Sequence, residues 1–194
     1  MLADRLLAAR LLATAAFAAI ATMALAQTTV PLSRFDSVEL RGGGHVVLRH
    51  GAVQRVTILK GSTRYTTLAV RDSRTLVIDA CNSDCPMHYD LEIEIVTPAI
   101  AAAAVNGGGA IVSASGFPAQ GSITAAVNGG GHVDLRAIDA RSATAAVDGG
   151  GKIEIRAKAA LSAAVDGGGS IRYVGNPAVT TAINGGGSVR PEGG

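Results

Sequence analysis

Cys81 and Cys85 are the first residues in this chain that invite chemistry. They enclose Asn82-Ser83-Asp84, and Pro86, Met87 and His88 follow directly, which reads as a tight loop. In an oxidising compartment such a pair closes a local disulfide. The sharper alternative is a soft-metal site, since Cys, Met and His donors together suit copper. A thiol-redox site is weaker, because the spacing is not Cys-x-x-Cys in a βαβ setting. The four histidines, His45, His50, His88 and His132, show no metal-ligand spacing among themselves. Asp134 and Glu154 occupy equivalent places in successive repeats and make at most a carboxylate pair on a charged, solvated face. No serine sits in a strained Gly-x-Ser-x-Gly turn. The Gly-Gly-Gly runs lead into strands, so they cannot form the helix N-terminus that cradles phosphate. The expectation is no catalytic residue, no metal and no cofactor.

The remaining polar signal is a repeated corner. Ala-Ala-Val-Asn-Gly-Gly-Gly stands at 103–109 and 125–131, Ala-Ala-Val-Asp-Gly-Gly-Gly at 145–151 and 163–169, and Thr-Ala-Ile-Asn-Gly-Gly-Gly at 181–187. The residues Asn106, Asn128, Asp148, Asp166 and Asn184 are thus 22, 20, 18 and 18 apart. A period near 20 reads as a solenoid. An Asx side chain bonds to its own following backbone, and Gly reaches positive φ without steric cost, so Asx-Gly-Gly-Gly makes a corner. Stacked repeats would align the five Asx residues as a ladder. Asp148 over Asp166 would repel by roughly 1–3 kcal/mol, so glycine N–H groups or a cation must absorb that charge. Calcium-binding β-rolls place Asp after the glycines, not before them. A structural Asx turn is therefore the favoured reading.

Between corners the chain alternates with a period of two. Val105, Val127, Val147, Val165 and Ile183 precede the Asx residues, with Ala103, Ala125, Ala145, Ala163 and Thr181 two earlier. After the glycines come Ile111, Val133, Ile153, Ile171 and Val189. These rows should point inward, each repeat giving two short strands of a stack. The outward row beside them is alanine throughout: Ala104, Ala126, Ala146, Ala164 and Ala182. The next outward row is Ala102, Thr124, Thr144, Ser162 and Thr180. Such a flat, small-residue face suits docking against a second copy, a glycan or another envelope component. The alternative is a surface pared down only for tight stacking.

Composition agrees with that architecture. Of 194 residues 25 are Gly, only six are aromatic, and the net charge is +2. Collagen would need Gly at every third position, and so weak a positive charge gives no reason to expect nucleic acid. Residues 1–26 read as a signal peptide. Arg5 and Arg10 precede an apolar run from Leu11 to Leu25, and Ala24-Leu25-Ala26 offers a cleavage site before Gln27. That run falls short of the roughly 20 residues that span hydrocarbon, and no later stretch is apolar for long enough to cross as a helix. The expectation is an exported protein, periplasmic or at the surface, with residues 27–194 as a single domain.

Residues 33–100 carry strand texture without the regular phrase. Strands are expected near 35–40, 45–48, 55–59, 68–71, 75–79 and 89–96, as the first rungs and cap of the same stack. Three phrases here are diagnostic together: Phe35-Asp36-Ser37-Val38-Glu39-Leu40 before Gly42–44, Leu91-Glu92-Ile93-Glu94-Ile95-Val96-Thr97-Pro98, and the recurring Val/Ile-Asn/Asp-Gly-Gly-Gly. In that order they resemble the bacterial head-GIN-domain family, whose members are labelled "putative auto-transporter adhesin". The resemblance covers nearly all of residues 30–190. It implies a parallel β-helix in an exported protein, and it brings no established catalytic residues. The fold class expected is therefore all-β, a single-chain parallel β-solenoid with Asx-Gly-Gly-Gly corners. The function expected is a non-enzymatic binding or structural module of the envelope; the alternative is a polysaccharide-processing enzyme on the same scaffold.

Overall fold

The computed structural model describes residues 27–193, so the expected signal peptide at 1–26 lies outside the described residues. Among these the chain is all-β, with fifteen strands in one curled sheet and no helix. No helix long and apolar enough to cross a membrane is found among them. The strands fall into two columns, joined at the glycine corners.

The first column comprises β2 (Ser37–Gly42), β6 (Thr75–Asp79), β8 (Ala102–Gly107) and β10 (Gln120–Gly129), then the second halves of β11 (His132–Gly149) and β12 (Lys152–Gly167), and finally β14 (Ala178–Asn184). All of these pair in parallel, in the order β6-β2-β8-β10-β11-β12-β14. The register superposes equivalent residues: Leu40, Val105, Val127, Val147, Val165 and Ile183 form one row. The second column holds β7 (Glu92–Thr97), β3 (His45–His50), β9 (Ala110–Ser113), the first halves of β11 and β12, β13 (Ser170–Val174) and β15 (Ser188–Pro191). Its row is Val46, Ile111, Val133, Ile153, Ile171 and Val189, again parallel. Between Leu135 and Ala140 the β11–β12 register shifts, so an irregularity, not a glycine triplet, interrupts the pairing between the two columns.

The first glycine triplet belongs to the same corner as the others. Gly42 pairs with Gly107, and Arg41 stands where later rungs carry Asn or Asp. The corner's geometry explains two of its three glycines. Gly107, Gly129, Gly149, Gly167 and Gly185 all have φ between +104° and +126°, a region costly for any residue with a Cβ. The third position lacks room instead: a Cβ on Gly151 would overlap Val127 Cγ1 and sit 2.7 Å from Gly131 O.

The lower end is closed by strands that reverse direction. β5 (Thr67–Arg71) pairs antiparallel with β6, β4 (Arg55–Lys60) antiparallel with β7, and β1 (Thr28–Val30) antiparallel with β4. The Tyr89–Val96 strand starts at Glu92 instead. Tyr89 Oη takes the Ser62 N–H at 2.7 Å and lies 2.8 Å from Thr66 Oγ1, which holds that segment in a loop.

The expected inward rows are buried through Val165 and Ile171 and then stop being so. Val179 and Ile183, in register with Leu161 and Val165 one rung below, are 38% and 48% exposed against 1% and 2% for those partners. Thr181 is exposed and Val189 half-exposed. Their sequence pattern is that of core residues, but among the described residues no further rung lies on top of them.

Candidate functional site

The Ala and Asx rows meet in one groove. It has a volume of about 500 Å³ and crosses the rungs of the first column. Ala126, Ala146, Ala164 and Ala182 line it together with Asn106, Asn128, Asp148, Asp166 and Asn184. In register Asn106, Asn128, Asp148, Asp166 and Asn184 follow one another directly. At ~4.8 Å per rung this row is about 19 Å long. The neighbouring Thr124, Thr144, Ser162 and Thr180 are exposed beside it, while Ala102 and Ala104 at the lower end are half-buried.

The physical cause of the groove is side-chain length. Strand alternation turns every second residue outward, and alanine there leaves only a methyl group between the longer Asx side chains and the next outward row. The lower end is stopped by charge. Glu39 replaces alanine in the row, Arg41 Nε donates to Glu39 Oε1 at 2.7 Å, and Asn106 Nδ2 donates to the same oxygen at 2.6 Å. The Arg41 hydrogen bond is the main reason the Glu39 carboxyl is held below its ordinary range. At the upper end Asn184 Nδ2 donates to Asp166 Oδ1 at 3.2 Å, so an amide answers one of the two stacked carboxylates. The wall thus offers amide donors and carboxylate acceptors at regular intervals above an apolar floor.

A second cluster lies on the other column, and the sequence understated it. Glu154 was expected to face solvent; its side chain is instead 5% exposed. Its Oε1 accepts from Lys152 Nζ at 2.8 Å, and its Oε2 lies 2.9 Å from His132 Nε2 and 3.6 Å from Arg136 Nη2. Arg136 also donates from Nη2 to Asp134 Oδ2 at 2.7 Å and reaches Glu192 through Nη1. Burial works to raise both carboxyls, but hydrogen bonds from Arg136 to Asp134, and from Lys152 and His132 to Glu154, outweigh it and hold both low. His132, Asp134 and Glu154 place donor atoms within 4.8 Å of one another, as a metal site would. Arg136 and Lys152 already neutralise those oxygens, however, so the arrangement is a satisfied ion-pair network.

Carboxyls with lowered folded pKa add stability above their unfolded values that is lost as pH falls through the folded ones. The thermal midpoint should therefore hold steady from neutral pH down to about pH 5 and drop below about pH 4. In Glu154→Gln that drop should be shallower, as differential scanning calorimetry across pH would show.

Cys81 and Cys85 are joined as a disulfide with Cα atoms 5.7 Å apart, and Met87 beside them is 95% exposed. With both sulfurs bonded, the copper alternative loses its thiolates. The loop is held from the other side by Asn82, whose N–H donates to Tyr65 O and whose Nδ2 donates to Arg64 O.

Residues 117–177, from Phe117 through Pro177, match the family model described as "Putative auto-transporter adhesin, head GIN domain". Over these residues the chain is similar to the head-GIN domain family. The match includes the Asn128, Asp148 and Asp166 corners and the whole Arg136 network except Glu192. Among solved structures, a "putative adhesin" from Bacteroides fragilis is 16% identical, with 86% of this chain and 96% of that one covered and a TM-score of 0.49. One from Parabacteroides merdae is 16% identical over 87% and 96%, with a TM-score of 0.39. A "putative cell adhesion protein" from Clostridium sporogenes is 10% identical over 85% and 97%, at 0.38. A search of curated proteins finds no significant match. The matched segment supplies the middle rungs of the groove.

Proposed function

We propose that this protein is an exported, non-enzymatic β-solenoid, residues 27–194 forming one domain with Asx-Gly-Gly-Gly corners, that binds an extended glycan of the cell envelope along its Ala/Asx groove. The observation that carries this reading is the groove itself: an apolar floor with an amide or a carboxylate at every rung. Hydroxyl groups of a sugar chain both donate and accept, which matches a row of two Asn, two Asp and a further Asn. Alanine methyls suit the C–H faces of the same rings. The adhesin description of the matched family supports a binding role. The Cys81–Cys85 disulfide and the signal-like residues 1–26 support export.

The enzyme alternative finds little support. Asp134 and Glu154 are committed to Arg136, Lys152 and His132, and they lie on the other column from the groove. A glycan array followed by product analysis separates the two readings. The expected result is retention on envelope polysaccharides with chain length unchanged. Shortened products would establish the enzyme, and no retention on any glycan would remove the glycan from consideration.

A further inference from the structure

The upper end of the stack is an unfinished sheet. Among the described residues β14 pairs only with β12, and β15 only with β13. The outer edges of both strands therefore present backbone N–H and C=O groups with no ladder partner. Within β14 itself Val179, Thr181 and Ile183, in register with buried Leu161, Ala163 and Val165, are exposed.

Soluble proteins blunt such edges with charge, proline, bulges or very short strands. β15 does so with Arg190 and Pro191. β14 does not: its seven residues, Ala178 to Asn184, include no charged residue and no proline. The opposite end of the molecule is finished differently, by the antiparallel strands β5, β4 and β1. Among the described residues β5 and β1 are edge strands too, but β5 carries Arg71 and β1 is only three residues long, so β14 is the long uncharged edge.

We propose that this open end docks a second copy of the chain, the two β14 strands pairing antiparallel about a two-fold axis through Thr181. Directly opposed residues in an antiparallel pair share a face. A two-fold axis perpendicular to the sheet must therefore pass through a residue, not between residues, to keep the inward rows together. Centring it on Thr181 pairs all seven residues. Val179 then faces the partner's Ile183, and Thr181 faces the partner's Thr181. With no charge in β14, no like charges oppose each other. Because the two-fold interface uses the same edge of both copies, association through it stops at two and does not run on into a filament.

Size sets the strength. β14 is about 23 Å long, and an end face of that length and one rung's width falls below the roughly 800 Å² per partner of standard interfaces. Affinity must come from strand addition, with about six new ladder hydrogen bonds over seven residues. A dimer populated at tens of micromolar follows. This inference stands apart from the glycan reading, since it needs neither the groove nor a ligand.

Sedimentation equilibrium and single-cysteine cross-linking test it. The mass should double as concentration rises through tens of micromolar, and Thr181→Lys should stay monomeric. Thr181→Cys should form an interchain disulfide on mild oxidation, because Cα atoms opposed across an antiparallel pair lie within disulfide reach. Cys81 and Cys85 are joined and leave no competing thiol. Ala146→Cys, in the middle of the groove, should not cross-link. A wild-type chain that stays monomeric, a Thr181→Lys dimer, or cross-linking through Ala146→Cys in place of Thr181→Cys would each overturn the proposal. Thr181→Cys carries the decision alone should Thr181→Lys fail to fold.

Discussion

Replacing Gly151 with alanine should destabilise the fold by about 2–3 kcal/mol, whereas the same change at its neighbour Gly150 should cost nothing measurable. The two residues differ only in where a Cβ would go. At Gly151 it would overlap Val127 Cγ1 and press on Gly131 O at 2.7 Å, both belonging to the rung below. Relief would require parting two strands of a hydrogen-bonded ladder. At Gly150 nothing lies within 4 Å, and φ is not in the left-handed region. Alanine there also restricts the unfolded chain, which favours folding by about 0.4–1 kcal/mol where the native backbone suits it. Gly149 fails for a third reason, with φ of +109° and a Cβ position 2.8 Å from Gly129 O. Gly149→Ala should cost about as much as Gly151→Ala, mostly as backbone strain. Urea denaturation of the three variants checks these values. A Gly150→Ala variant as unstable as Gly151→Ala would mean that the corner is not built as described. Chain packing leaves Gly108, Gly130, Gly150, Gly168 and Gly186 unexplained, since a Cβ at any of them meets nothing. In the proposed reading their bareness keeps the adjoining Asx side chains accessible.

The second large effect is expected at Arg136. Arg136→Met should cost about 2–3 kcal/mol at neutral pH, because it removes the cation shared by Asp134, buried Glu154 and Glu192. Lys152 and His132 would still reach Glu154, which limits the loss. The deficit should close as pH falls below about 4, since protonated carboxyls no longer need the guanidinium. Arg49→Met is the control. Its partner is Glu94 at 2.7 Å, but the Arg49 side chain is 55% exposed, and such surface pairs are worth about 0.5 kcal/mol. Equal losses at the two arginines would show that the Arg136 network is only surface decoration.

What could be read from residues alone was whatever repeats. Val105, Val127, Val147 and Val165 were placed inward because a corner every 18 to 22 residues resets a period-two pattern, so local alternation decides the face. Ile183 has the same local pattern and is 48% exposed, because burial also needs a neighbouring rung. That is a fact about the stack and not about the segment. Glu154 shows the converse. Its residue type and outward position suggested solvent, and three side chains from this rung and its neighbour cover it. The reversal of β4, β5 and β1 was also hidden, since strand direction depends on the path of the loops between them. The Ala and Asx rows were legible as rows; that they share one groove required the register between rungs.

The groove is the centre of this account, and a binding isotherm tests it most directly. Ala146→Arg with Ala164→Arg places two long cations on an exposed, uncharged row, so the thermal midpoint should stay near that of the parent chain. Measured against the envelope polysaccharide that the array selects, affinity should fall by at least tenfold, the equivalent of about 1.4 kcal/mol. Parent-like affinity in the folded double variant would contradict the groove as the binding surface.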